Sequence, residues 1–431
     1  MARLAGMNVV STPAVDAWTA LFCVLLVAGL LTRFWLVSRQ VRHVAQHRRA
    51  VPEAFAQTVR LADHQKAADY TIAKARLGIM EMALGAAVLL GWTLLGGLSW
   101  LNHVLRELMG PGLPQQIALL GAFFVVGGLL ELPLSWYRTF RLEERFGFNK
   151  MTLRLWVSDG IKGALVGGLI GLPVVALVIW LMEASGPLWW LWAWMAWMGF
   201  NLLLLVLYPT VIAPLFNRFE PLQDDTLKQR IEALMARCGF SAKGLYVMDG
   251  SKRSAHANAY FTGFGPAKRV VFFDTLLQRL SPGEIDAVLA HELGHFKHRH
   301  IVKRIITMFA VSLAGFALLG WLYGQTWFYT GLGVNPNLTT PNSALALILF
   351  LSVVPLATFF ITPLTSHLSR QHEFEADAYA MAHADGRDLA TALLKLYQDN
   401  ASTLTPDPMF VKFYYSHPPA NERLSRMPQP A

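Results

Sequence analysis

The sequence predicts an all-α polytopic membrane protein that carries a small α+β domain on one side of the bilayer. Three observations lead there. Of the 431 residues, 54% are hydrophobic and only 15% are charged, against about 25% charged in soluble domains. Seven apolar runs approach the roughly 20 residues that a helix needs to cross a hydrocarbon core. Two polar segments outside those runs, 216–303 and 367–431, together have the length of one soluble domain.

The spans fall near 17–37, 80–101, 115–136, 161–182, 187–213, 304–325 and 344–366. The chain thus divides into 1–215 with spans one to five, 216–303 as the first half of the polar domain, 304–366 with spans six and seven, and 367–431 as its second half. No Asp, Glu, Lys or Arg interrupts 82–101 or 163–182, and none occurs from Ile305 to Ser369. The last of these stretches reads as two spans joined by a short polar loop. The first apolar run is too long for a cleavable signal peptide, and most of its basic neighbours follow it. Arg33, near its far end, can snorkel to the interface. The two cysteines, Cys23 and Cys238, are too few for a disulfide framework and read as ordinary thiols.

The net charge of +9 could suit nucleic acid, but the basic residues sit beside the apolar runs. That pattern belongs to membrane topology, so the expected partner is a lipid bilayer and no nucleic acid. Thirteen Lys and Arg lie in the loops after spans one and three, from Arg39 to Arg76 and from Arg138 to Arg154. The opposite side offers Arg3 and Arg106. The amino terminus is therefore expected outside, with both polar segments and the carboxyl terminus in the cytoplasm. The Ala-, Arg- and Trp-rich composition points to a bacterial inner membrane; in a eukaryote the expectation is the endoplasmic reticulum. Glu81, Glu131 and Asn201 lie in or near spans. They either pair and snorkel there or face a water-filled interior, because an ionisable group facing lipid is costly.

"LSPGEIDAVLAHELGHFKHRH", 280–300, carries a strong helix start. Ser281 can cap, Pro282 suits the first helical position, and Glu284 completes a capping box. Ile285, Leu289, Leu293 and Phe296 form an apolar stripe at helical spacing. His291 and His295 are four apart and share another face. Two such imidazoles can bind one tetrahedral zinc ion. Glu292 projects about 60° around the helix from His295. It stands beside the ion without ligating it, where a general base for the attacking water belongs. His298 and His300 read as a helix-end cluster favoured by the dipole.

A catalytic zinc site needs a third protein ligand. One protease class places a Gly and a third His just after the motif. Those positions are His298 and Ile301 here, which excludes it. The best candidate is Glu373 in "SRQHEFEADAYAMA", 369–382. Glu373 and Asp377 share a helix face, while Glu375 points away. Asp377 can accept a hydrogen bond from the free nitrogen of a ligating histidine and so fix its tautomer. The alternative for Glu373 is a salt bridge with Arg370. Further upstream, "NAYFTG" and "KRVVFF" look like a strand pair around a turn, and an exposed strand edge can bind an extended peptide.

These segments make the family recognisable. "YRTFRLEERFGFNKMT" (137–152), "YPTVIAPLFNRFEPL" (208–222), "SAHANAYFTGFGPAKRVVFFDTLL" (254–277), "HELGH", "EFEADAYA" and "SHPPANERL" (416–424) occur in the order seen in the type I CAAX prenyl proteases. The chain resembles that family of seven-span membrane zinc metalloproteases over most of its length. The resemblance implies a seven-helix chambered barrel closed by a cytoplasmic α+β zinc domain of the HExxH-plus-Glu kind. It implies zinc on His291, His295 and Glu373, with Glu292 as catalytic base and His417 placed to stabilise the oxyanion. It also implies that Asn258 and Arg423 line the substrate cleft, and that the substrate is a prenylated or membrane-associated protein losing its carboxyl-terminal tripeptide. Arg423 could grip a carboxylate with two hydrogen bonds. Against these stand a strand-end cap for Asn258, a tail position restrained by Pro418 and Pro419 for His417, and an internal salt bridge for Arg423.

Two other functions fit parts of the sequence. One is a quality-control protease for membrane proteins with no prenyl substrate. The other is a channel or transporter with a structural zinc site, which Glu292 argues against, since a structural site needs no base.

Overall fold

The computed structural model of the protein describes residues 12–241, 244–262 and 269–428. Seven helical rods are long and apolar enough to cross a membrane: Pro13–His47, Leu61–Trp92, Leu113–Glu143, Leu153–Ala184, Gly186–Phe216, His300–Tyr323 and Ser343–His383. Six agree in place with the expected spans. The second differs. Its helix begins at Leu61 and ends at Trp92, and a separate helix, Gly97–Met109, follows. Hydropathy ran through the break because its residues are apolar. Backbone freedom decides it: Gly96 takes φ 79°, and a Cβ on Gly97 would meet the Gly91 carbonyl at 2.6 Å.

The spans pack tightly at one end only. Phe22, Leu119, Ile179, Trp189, Leu322 and Leu349 form a core there, and the loop between spans six and seven is tied to it by Asn102 and Asn337 at 3.1 Å. In spans three to five, none of the described residues 121–137, 153–177 and 194–207 is buried. Those segments hold no fully buried residue, whereas their opposite ends close on the core. This is the form of a chambered barrel. Glu81 pairs with Arg138, and Asn201 bonds within its own helix to the Trp197 carbonyl at 2.8 Å.

The two polar segments join into one domain at the open end. A mixed sheet has the order β1 (Phe219–Pro221), β2 (Gly244–Met248), β4 (Arg269–Phe273), β3 (Ala259–Thr262). β3 and β4 are the expected pair, antiparallel from Ala259 opposite Phe272 to Thr262 opposite Arg269. The expected turn between them, and Arg3, lie outside the described residues. β3 is an edge strand. β1 and β2 went unforeseen: β1 is three residues long, and β2 pairs with β4 in parallel, which leaves no hairpin signal in the sequence.

The domain core packs the motif helix (Pro282–Lys297) against the helix Thr362–His383, with Ile231, Leu234, Leu289, Leu293 and Ala380 buried between elements. Each of those two helices is joined directly to a span. The motif helix turns into span six through His298 and Arg299; Arg299 is a non-glycine residue at φ 56°, where the left-handed region is sterically costly. Span seven continues through the single 3-10 turn Phe359–Ile361 into Thr362–His383. The sequence predicts a span over 344–366 and a separate helix over 369–382; in the structure they form one rod.

Gly294 sets how closely the two helices approach. A Cβ there would lie 2.9 Å from the Ala376 Cα and 3.0 Å from the Tyr379 Cβ. Gly294→Ala is expected to push the helices apart at a cost of about 1–3 kcal/mol, read as a lower melting temperature of the detergent-solubilised protein. An unchanged melting temperature would show that the contact does not set the spacing.

Candidate active site

The capping box forms as the sequence indicates. The Ser281 amide donates to the Glu284 carboxylate at 2.7 Å, and Ser281 Oγ accepts from the Glu284 amide at 3.4 Å. Lys395 also pairs with Glu284 at 2.7 Å. With its start pinned, the helix turns His291 and His295 to one side. Their Nε2 atoms lie 3.2 Å apart. The Glu373 carboxylate completes a triangle, with Oε2 3.5 Å from His291 Nε2 and Oε1 3.4 Å from His295 Nε2.

That triangle fits a metal ion. Ligands at 2.0–2.1 Å in tetrahedral geometry are about 3.3 Å from one another, close to all three edges. Glu373 Oε2 is buried and accepts no hydrogen bond, which is costly for a carboxylate oxygen unless a cation faces it. Among the described residues, His291, His295 and Glu373 are the group able to hold an ion. The alternative partner of Glu373 is otherwise engaged: Arg370 donates to the carbonyls of Val411 and Tyr415 at 3.1 and 2.8 Å.

Asp377 stands where its spacing put it. Its Oδ1 accepts from His291 Nδ1 at 2.8 Å, which leaves the Nε2 lone pair for the ion. Arg423 corrects an expectation. Arg423 is only 6% exposed, and one edge of its guanidinium holds Asp377, Nε donating to Oδ2 at 2.8 Å and Nη2 to Oδ1 at 2.5 Å. Its other nitrogen is 3.8 Å from Glu373. Arg423 borders the cavity beside the triangle, but the two hydrogen bonds expected to grip a substrate carboxylate go to Asp377. Burial would raise the Asp377 carboxyl, yet His291 and Arg423 hold it down at about 2.

Glu292 is half-buried beside the triangle. Burial raises its carboxyl above the usual range, Glu373 adds to this, and His291 and Arg423 act against it. A carboxylate so raised accepts a proton readily. His417 comes from the tail to within 3.4 Å of Glu373 through Nε2, while its Nδ1 meets Ser416 Oγ at 3.0 Å. Desolvation lowers this imidazole below its ordinary value.

Asn258 satisfies both of its readings. Its Oδ1 accepts from the Ala259 amide at 2.8 Å, as a strand-end residue does, and it lines the same cavity as the triangle. The cavity measures about 790 Å³. The triangle, Glu292, His417 and the start of β3 form one wall; Arg33, Val37, Lys74 and Met82 of spans one and two form another. Arg33 therefore does not snorkel outward: its guanidinium stacks over the Phe359 ring at 4.0 Å. Hydropathy could not separate an outward from an inward side chain on that helix.

His300 stands at a helix end, as its place in the sequence suggests, but does more than close it. It is buried, and its Nδ1 meets His295 Nδ1 at 2.9 Å. Five residues apart on a straight helix, these rings would not face each other. The turn at Arg299 brings them together, and nothing in the sequence marks an arginine for that conformation.

Two helix-borne imidazoles, a carboxylate from a second helix and an adjoining acid, set at the open end of seven membrane helices, define a membrane metallopeptidase. Residues 40–218 match the family described as CAAX prenyl protease N-terminal, five membrane helices, and residues 221–431 match peptidase family M48. The chain is 38% identical over 344 residues to CAAX prenyl protease 1 of Saccharomyces cerevisiae, covering 76% of each chain. It is 34% identical over 350 residues to the CAAX prenyl protease 1 homolog of Homo sapiens, covering 73% of each. The crystal structure of S. mikatae Ste24p superposes with a TM-score of 0.90 at 31% identity, over 96% of this chain and 99% of that one. The chain belongs to the CAAX prenyl protease 1 family of M48 peptidases.

Arg423→Ala leaves Asp377 and His291 without their clamp. The expected result is a metal affinity lower by about 10–100-fold, with cleavage of free-acid and carboxyl-amidated peptides reduced by the same factor. A selective loss for free acids would return Arg423 to substrate recognition.

Proposed function

We propose that this chain is a zinc endopeptidase that cleaves near the carboxyl terminus of prenylated or membrane-associated proteins. His291, His295 and Glu373 hold the ion, a donor set suited to zinc with a position left open. The observation that carries the reading is the triangle of 3.2, 3.4 and 3.5 Å edges with Glu292 beside it in the cavity. When bound, the ion supplies Lewis-acid chemistry, acidifying water and polarising the scissile carbonyl.

The chain's own residues do the rest. Glu292 takes a proton from the attacking water as its oxygen bonds to the carbonyl carbon. It then gives that proton to the leaving nitrogen as the C–N bond breaks. His417 donates to the carbonyl oxygen as charge develops there. The free edge of β3, entered at Asn258, holds the peptide extended through backbone hydrogen bonds. Because spans one and two wall the cavity, a substrate with a lipid chain can keep that chain against the membrane helices while its peptide reaches the ion.

The proposed topology keeps the amino terminus outside. Segments 216–303 and 367–431 then form the cytoplasmic protease domain, with 1–215 and 304–366 as the membrane part. It rests on the Lys and Arg bias of the loops. A single cysteine at exposed Lys252 should react only with reagents that reach the cytoplasm, and one at exposed Asn335 only from outside. Labelling in the reverse sense would invert the orientation.

Glu292→Gln is expected to keep one zinc per chain while hydrolysis falls by about 10²–10⁴-fold. The paired assay compares one peptide with and without a farnesyl group, with products read by mass spectrometry. Faster cleavage of the farnesylated form supports a prenyl substrate. Equal rates would favour a general protease of membrane proteins.

A further inference from the structure

Each histidine of the triangle has a second nitrogen, and each of those is engaged. His291 Nδ1 donates straight to the carboxylate of Asp377. His295 Nδ1 instead faces His300 Nδ1 at 2.9 Å, and His300 Nε2 faces Glu375 Oε2 at 2.7 Å. We propose that His300 and Glu375 are positioning residues for the metal site: Glu375 fixes the tautomer of His300, and His300 fixes that of His295. This inference rests on the reading that the triangle holds a metal.

The proton positions follow from donor and acceptor chemistry. An ionised Glu375 only accepts, so His300 Nε2 must carry a hydrogen. Neutral His300 then presents a lone pair at Nδ1. At 2.9 Å from it, His295 Nδ1 must be the donor. His295 Nε2 is left with its lone pair directed at the ion, the state a ligand requires. The opposite arrangement, with a hydrogen on His295 Nε2, has no room beside His291 Nε2 at 3.2 Å once an ion is bound.

The His300 ring is held for this task. It is buried, stacked on His372 at 4.0 Å with planes 12° apart, and lies parallel to His298 at 5.6 Å. The left-handed Arg299 turns it back towards His295. Glu375 is half-exposed, so its charge is hydrated and costs little to maintain. The sequence reading that Glu375 points away from the ion holds for its direction. Its influence arrives through one intervening imidazole.

The variants His300→Phe and His300→Asn separate positioning from packing. Phe keeps a ring to stack on His372 but offers no acceptor to His295. Asn loses the ring but places an amide oxygen near the position of Nδ1. Zinc affinity is measured by competition with a chelator, and melting temperature on the metal-free protein. The expected result is a loss of about 10–100-fold in affinity for Phe and a few-fold at most for Asn. A packing role predicts the reverse order, with Phe near wild type and Asn weak in both measurements; that order overturns the proposal. Should Phe fail to fold, Glu375 carries the test from the surface: Glu375→Ala lowers affinity and Glu375→Gln, which still accepts, restores it. Unchanged affinity in Glu375→Ala overturns the proposal as well. A wild-type chain that binds no zinc defeats this inference and the metal reading together, whereas tight wild-type binding with an indifferent Phe variant defeats this inference alone.

Discussion

Two imidazole lone pairs and a buried carboxylate are held within 3.5 Å of one another, and without a cation that arrangement repels itself. Much of the surrounding structure keeps it from relaxing. The capping box pins the motif helix, Gly294 lets a second helix approach to backbone contact, and a separate hydrogen-bonded chain holds each imidazole from behind. Arg423 supports one of these chains by neutralising Asp377 next to Glu373. A buried guanidinium bound bidentately to one acid and 3.8 Å from the other keeps the two close.

The membrane takes part in this construction. The motif helix and the helix of the third carboxylate are joined to spans six and seven through two residues and one turn respectively. The distance between the two ligand sets thus depends on how those spans pack at the far end, where Leu319, Leu322, Leu345 and Leu349 are buried. Further ties bind the domain to the earlier spans. Arg253 grips Asp159 at the start of span four and Asn217 after span five. Arg39 of span one holds Asp407, which caps the helix Pro408–Tyr414 ahead of His417. These contacts at the rim tie the domain to spans one, four and five.

The electrostatics of the cavity follow from the same geometry. Desolvation pushes Glu292 towards the protonated form, while Asp377, though buried, stays ionised because His291 and Arg423 face it. Two carboxyls a few residues apart in space are thereby driven in opposite directions, one towards proton transfer and one towards permanent charge.

Local periodicity and composition were enough to place six of the seven spans, the capped motif helix, the shared face of His291 and His295, and that of Glu373 and Asp377 on a second helix. Each depends on spacing along one element, which the chain carries in its order of residues. Only the tertiary structure decided the break after Trp92, the commitment of Arg423 to Asp377, the inward turn of Arg33 and the contact of His300 with His295. Each of these depends on what a side chain meets from a distant part of the chain, or on one backbone angle at Gly96 or Arg299. An arginine has the same formula whether its fork closes on a substrate or on a neighbouring aspartate, and only the position of that aspartate in space distinguishes them.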